Sequence, residues 1–382
     1  MPDKITRIEW ACLEGHRPRS AGSNARLGQH GRIVRVPILR VTTAEGASGF
    51  GHSWVSEQEA SGLLGQSVKS VFNAAVGVSE CWRAAEYPLW DLAGKLAGLP
   101  VYSLAAGVNQ RPVPAVCRVP VYDTSLYFDD LHLKTDEEAA ALITGEVLDG
   151  AALGHRAFKL KVGRGARWMP MQDGTRRDIA IIHAVRAAVG PDATLLLDAN
   201  NGWNLNLTKQ VLAETAGCRI HWMEEAFYED ALLYADLRTW IQTEGLATLI
   251  ADGEGDAAPS LLRWAQEGLV NVIQYDIYGH GFNRWLETGR QLDGWGAGSA
   301  PHHYGAHTGN YAACHLAPAL SGFTYAEWDE TATPGLDGSE YRIANGTVTV
   351  PDRPGFGLSL DSNLFAKTVK QDGWLINLQK SP

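Results

Sequence analysis

Four short apolar runs, each ending in charge at near-regular spacing, constrain this chain more than any other feature. FKLK at 158–161 ends in a lysine pair; ATLLLDAN at 193–200 carries Asp198, RIHWMEEA at 219–226 carries Glu224, and ATLIADGEGD at 247–256 carries Glu254. Asp198 and Glu224 lie 26 residues apart, and Glu224 and Glu254 lie 30 apart. That is the length of one strand–helix unit in a parallel α/β fold. Charges at the ends of successive parallel strands converge on one mouth, and three carboxylates brought together require a cation.

The rest of the chain fits this frame. Candidate strands recur at 115–122, 157–162, 194–199, 219–224, 247–252, 271–276, 296–301 and 322–327, with helical patterns such as RRDIAIIHAVRAAVG between them. Eight such strands favour a TIM-type barrel over a doubly wound sheet. Residues 1–110 have another texture: paired strands around the turn AEGASG, then helical periodicity, which together read as an α+β unit. HRPRSAGSNARLGQH at 16–30 reads as a polar surface loop. NQRPVPAV at 109–116 reads as a boundary, and the tail from 330 as a segment packing back on the N-terminal unit.

In a strand, residues two apart share a face. Lys159 and Lys161 therefore point the same way, as do Asp198 and Asn200, and Asp252 and Glu254. Phe158, Leu160 and Val162 flank the lysines, so the strand reads as buried and the lysines as facing the barrel interior. Burial and mutual repulsion lower a lysine's pKa while nearby acids raise it, and a poised lysine serves as a base. Asp198, Glu224 and Glu254 are oxygen ligands, which suits Mg²⁺ better than zinc. Glu225 is adjacent to Glu224, so only one of the two is expected to face inward. Asp276 closes VNVIQYD and His302 follows 26 residues later. An aspartate beside a histidine orients the imidazole and stabilises its protonated form. His303 and His307 offer an i, i+4 metal pair if that segment is helical. Glu327 closes the last strand, where a protonated carboxyl would bond a substrate carboxylate; Asp329 competes for that role.

Composition excludes several function classes. Lysine plus arginine number 33 against 43 acids, a net charge of −10 without a basic stripe, so nucleic-acid binding has little support. No apolar run approaches the ~18 residues of a membrane helix. The N-terminus has early acids and no apolar signal region, and the five cysteines are odd in number and scattered. A cytoplasmic protein with reduced thiols is expected. No phosphate cradle or Ser/His/Asp set stands out.

KLK at 159–161, DAN at 198–200, MEEA at 223–226, ADGE at 251–254, QYD at 274–276 and APHH at 300–303 together resemble the enolase superfamily, mandelate racemase subgroup. The resemblance implies an α+β capping domain at 1–112, a (β/α)7β barrel at 113–329, and a C-terminal segment, 330–382, returning to the cap. It implies Mg²⁺ on Asp198, Glu224 and Glu254, with Lys161 as base on one substrate face and His302, backed by Asp276, on the other. Lys159 would neutralise the substrate carboxylate. Asn200, Glu327 and His303 would stand around metal and substrate, and Arg17, Arg19 and Arg26 would reach the substrate's far end. Ala226 stands where the family usually has proline. The activity expected is dehydration of a sugar acid, aldonate or aldarate, to a 2-keto-3-deoxy acid. Racemisation by the same two bases is the alternative. A metal-dependent hydrolase would want a His-x-His pair where Lys159 and Lys161 stand. The expected partners are a small carboxylate substrate and further copies of the chain.

Overall fold

The computed structural model describes residues 3–305 and 307–379. The chain opens with an antiparallel sheet of β1 (Ile5–Ala21), β2 (Gly31–Thr43) and β3 (Ser48–His52). Gly46, at φ +87°, makes the turn between β2 and β3, a conformation that favours glycine. Helices Glu86–Ala97 and Val101–Val108 follow. β1 runs well into the stretch expected as a loop. Its outer part alternates exposed His16, buried Arg17, exposed Pro18 and half-buried Arg19. The period of two is intact, but the inward positions hold arginines rather than apolar residues, which hid the strand. This segment is pinned over the barrel: His16 N donates to the Ala332 carbonyl at 2.8 Å, and Phe128 N to the Ser23 carbonyl at 2.8 Å.

Eight parallel strands then appear in chain order: β4 (Arg118–Leu126), β5 (Ala157–Lys161), β6 (Thr194–Asp198), β7 (Ile220–Glu224), β8 (Leu249–Asp252), β9 (Val272–Ile273), β10 (Gly298–Ser299) and β11 (Ala326–Trp328). Each pairs with the next as far as β10, and β11 returns to pair with β4. Ser299 in β10 bridges to Phe323, just ahead of β11. A helix follows each of the first seven, giving a (β/α)7β architecture.

The alternation within each strand builds two layers. Tyr122, Ala157, Leu196, Trp222, Ala251, Val272 and Ala300 form one buried cluster inside the ring. Phe158, Leu160, Leu195, Leu197, Met223 and Ile250 join the larger core under the helices. Each large apolar side chain so buried stabilises the fold by about 1.5–3 kcal/mol. In β5 the in-facing phase is thus Ala157, Lys159, Lys161. Register levels the charged ends: Lys161 is opposite Asp198, and Asp198 opposite Glu224.

The tail divides. β12 (Thr347–Thr349) pairs antiparallel with β4 of the barrel, and β13 (Trp374–Asn377) pairs antiparallel with β1.

Candidate active site

Asp198, Glu224 and Glu254 each offer one carboxylate oxygen, and these lie within 4.8 Å of one another. Asp198 and Glu224 end their strands, but Glu254 lies beyond β8. The strand stops at Asp252, whose carboxylate accepts the Tyr234 hydroxyl at 2.6 Å. Gly253, at φ +131°, then turns the backbone and delivers Glu254 to the mouth. Strand alternation therefore does not put Asp252 and Glu254 on one face; the glycine turn does the work.

Both glutamates at 224–225 are buried. Glu225 takes φ +43° and turns aside to accept Asn200 Nδ2 at 2.9 Å and Asn201 Nδ2 at 2.6 Å. Asn200 Nδ2 also donates to Glu254 Oε1 at 3.2 Å. Asn200 is thus a brace between acids, with its amide directed to them. Glu225 and Asn201 were not singled out from sequence, because adjacency to Glu224 argued for only one inward side chain. The pairing of acid and amide across neighbouring strand ends was the available signal.

Lys161 is buried and hydrogen-bonds the Asp198 carboxylate. Lys159 Nζ lies 2.7 Å from Glu224, 3.1 Å from Glu327 and 3.5 Å from Asp198. Burial, the largest influence, works against the charge of Lys161, but Asp198 and Glu254 among its neighbours together outweigh it and hold the ammonium well above the usual lysine range. Lys159 is raised likewise against burial, by Glu224 and Glu327. Glu224 is pushed to about 8 by burial against the pull of Lys159, with the neighbouring Asp198 and Glu254 adding to the rise. Three acids at this spacing carry more negative charge than the two lysines compensate, which is the electrostatic demand a dication meets. Glu254 Oε2 accepts no hydrogen bond among the described residues. An all-oxygen donor set fits Mg²⁺.

His302 meets the triad at Glu254, with Nε2 3.2 Å from Glu254 Oε2, and its Nδ1 is 3.3 Å from Asp276 Oδ2. Asp276 caps the helix Ile277–His280: its Oδ1 accepts Tyr278 N at 2.9 Å and Gly279 N at 2.7 Å. One oxygen serves the cap, and the other faces the imidazole. Burial lowers His302, yet Glu254, Glu327 and Asp276 together carry it to about 9.

His303 is buried behind this surface. Its backbone N donates to Glu327 Oε2 at 2.8 Å, and Nε2 lies 3.1 Å from the Glu327 carbonyl. Its ring packs where a Cβ on Gly309 would sit. The helix begins at Thr308, so His303 and His307 are not held at helical spacing, and His307 Nδ1 lies instead 3.2 Å from Thr333 Oγ1. Glu327 sits in the site rather than Asp329, but as an anion. Burial favours its neutral form, while Lys159 and His302 hold it well below the usual range.

The capping arginines separate. Arg17 is 4% exposed and pairs with Asp329 at 3.0 Å. Arg19 donates to the Ser125 carbonyl at 2.6 Å and lies 3.3 Å from Glu146, on the barrel's helix side. Arg26 is exposed and lies over the Tyr228 ring at 5.7 Å. Arg19 and Arg26 are therefore engaged away from the acids.

Residues 144–364 match the family model for the enolase C-terminal domain-like fold. The chain belongs to the enolase superfamily. Among solved structures of the superfamily, a galacturonate dehydratase from Geobacillus sp., complexed with D-galacturonate and 5-keto-4-deoxy-D-galacturonate, is 44% identical over 98% of this chain and 99% of its own, with a TM-score of 0.93. A mandelate racemase/muconate lactonizing protein from Geobacillus sp. Y412MC10, complexed with magnesium and tartrate, is 44% identical over 99% of this chain and 98% of its own, with a TM-score of 0.95. Arabinonate dehydratase of Saccharolobus solfataricus is 26% identical over 292 residues, 72% of this chain and 69% of that protein. No helix among the described residues is long and apolar enough to cross a membrane.

Proposed function

We propose that this enzyme is a Mg²⁺-dependent sugar-acid dehydratase acting on a hexuronate of the galacturonate type. The observation that carries the reading is the arrangement of a lysine and an aspartate-backed histidine at different members of one acid triad. Mg²⁺ held by Asp198, Glu224 and Glu254 supplies divalent charge, relieving the pull that keeps Lys161 protonated and opposing the negative charge that develops on the substrate carboxylate.

Neutral Lys161 takes the proton α to the carboxylate. Lys159, fixed by Glu224 and Glu327, keeps positive charge beside the carboxylate oxygens as they gain electrons. The His302 imidazolium, oriented by Asp276, gives its Nε2 proton to the β-hydroxyl, which leaves as water. The enol so formed becomes the α-keto, β-deoxy acid. Counted from the carboxylate carbon, this is the loss of the 3-hydroxyl; the uronate and keto-deoxy product bound to the Geobacillus enzyme are related by the same change. The sugar-acid dehydratase expected from sequence stands, and a uronate is favoured within that class because that relative is similar over nearly the whole chain.

We take residues 1–112 with β13 as the cap and 113–329 as the catalytic barrel, a division supported by the β1–β13 pairing. The five cysteines are free thiols, which supports a cytoplasmic location. Exposed Trp54, Tyr228 and Leu232 support assembly into a homo-oligomer.

The test is incubation with D-galacturonate, aldonates and aldarates plus Mg²⁺ in D₂O, followed by NMR. A keto-deoxy acid establishes dehydration. Deuterium at the α-carbon with inversion of that centre and without keto acid establishes racemisation instead, and no change in any carboxylate overturns both.

A further inference from the structure

The capping strand brings a second group of side chains to Lys161. The Lys161 ammonium lies 5.8 Å from the centre of the Tyr127 ring. His30 packs edge-on against Tyr127 at 4.8 Å and against Tyr304 at 5.0 Å. Arg17 lies 5.5 Å from the Tyr304 ring centre. This wall therefore runs continuously from the base to the cap.

Its charge is closed. Arg17 Nη2 donates to Asp329 Oδ2 at 3.0 Å, with both side chains buried. Asp329 Oδ1 accepts the Thr331 hydroxyl at 2.7 Å. The Asp329 backbone is fixed on both sides by Asn310, whose Nδ2 donates to the Asp329 carbonyl at 2.9 Å and whose Oδ1 accepts Asp329 N at 3.1 Å. The anion thus cannot swing away to release the arginine without breaking this lattice. His30 is held neutral, since burial, Lys161 and Arg17 push it down to about 4. Its Nε2 has no hydrogen-bond partner among the described residues. The wall presents aromatic faces and a neutral ring nitrogen, with its one guanidinium already matched by a carboxylate.

We propose that the Arg17–Asp329 pair is a specificity determinant that restricts the site to sugar acids with a single carboxylate and an uncharged, hydroxyl-bearing far end. This rests on the dehydratase reading. A dicarboxylic sugar acid would place its second carboxylate against a wall whose cation is neutralised, and would lose water there without gaining a partner. A uronate or aldonate brings hydroxyl groups that a neutral imidazole nitrogen can serve.

The experiment compares kcat/KM for D-galacturonate and galactarate, at equal Mg²⁺, in the wild type, Asp329→Asn and Arg17→Gln. The wild type should prefer D-galacturonate by at least about tenfold, the scale of one buried polar group left without a partner. Asp329→Asn uncovers the arginine and should move the ratio toward galactarate by about tenfold or more, chiefly through KM. Arg17→Gln leaves the anion and should move it the other way. Equal use of both acids by the wild type, or an unchanged ratio in a folded Asp329→Asn protein, overturns the proposal while leaving dehydration intact. Should no acid be turned over, the dehydratase reading falls. The melting shift of Mg²⁺-loaded wild type with each acid then decides, because a galactarate shift equal to that with D-galacturonate overturns the selection itself.

Discussion

Replacing Asp276 with asparagine should separate the two halves of the reaction. The substitution keeps the shape of the helix cap, because an amide oxygen can still accept Tyr278 N and Gly279 N. It removes the anion 3.3 Å from His302 Nδ1 and turns an amide donor toward that nitrogen. His302 stands at about 9 rather than 6.5 because Glu254, Glu327 and Asp276 outweigh burial. Once Mg²⁺ occupies Glu254, support for the imidazolium rests on Asp276 and Glu327. A hydrogen bond to a charged group is worth about 1.5–3 kcal/mol, so elimination should slow by roughly 10- to 150-fold. The alkaline limb of its pH profile should also move to lower pH, since an acid that must be protonated loses its proton earlier. Lys161 is bonded to Asp198, and among the described residues no hydrogen bond or ion pair joins it to Asp276, so exchange of the α-proton with D₂O should persist. The assay is NMR of the α-proton signal beside keto-acid formation in the same sample. Parallel loss of exchange and elimination, or unchanged elimination, would refute the reasoning.

Three further outcomes follow from the same geometry. Mg²⁺ at 100 times its Kd should stabilise the wild type by about 2.7 kcal/mol, read as a melting shift, and Glu224→Gln should abolish that shift; a shift that survives would put the metal elsewhere. Arg164→Met should cost about 3–5 kcal/mol in urea unfolding, because buried Arg164 is 2.6 Å from Asp130 and 2.7 Å from Asp178, and its loss leaves Asp178 without a cation and Asp130 with only Arg177 at 3.5 Å. A loss under about 1 kcal/mol would contradict this. Glu86 is raised to about 7 by burial, against the amides of Phe282 and Asn283. The folded state keeps a proton that the unfolded chain releases near 4.5, so stability falls as pH rises from about 4.5 to about 7, by about 3 kcal/mol. Glu86→Gln should flatten that slope relative to wild type, and parallel slopes would disprove the assignment.

What the sequence disclosed and what it concealed divide along physical lines. Lys159, Lys161, Asp198 and Glu224 lie on regular strands, where a period of two places side chains without knowledge of the rest of the chain. Glu254 was found by spacing, but its route through the Gly253 turn was not, because positive φ at a glycine leaves no periodic trace. The strand at 16–21 was hidden because its inward residues are arginines whose partners lie far along the chain, Asp329 for Arg17 at a separation of 312 residues and Ser125 for Arg19 at 106. The choice of His302 over His303 also needed three dimensions: adjacent histidines differ only in which one faces Asp276. The charge state of Glu327 was misread for the same reason, since Lys159 reaches it from another strand.

The central claim is that Lys161 removes the proton beside a carboxylate held at the acid triad. The direct measurement is the rate of D-galacturonate dehydration with hydrogen or deuterium at the α-carbon, in wild type and Lys161→Ala, both loaded with Mg²⁺. A primary isotope effect in the wild type and loss of both turnover and α-proton exchange in Lys161→Ala are predicted. Turnover by Lys161→Ala with the isotope effect unchanged would assign the base to another residue and contradict the account.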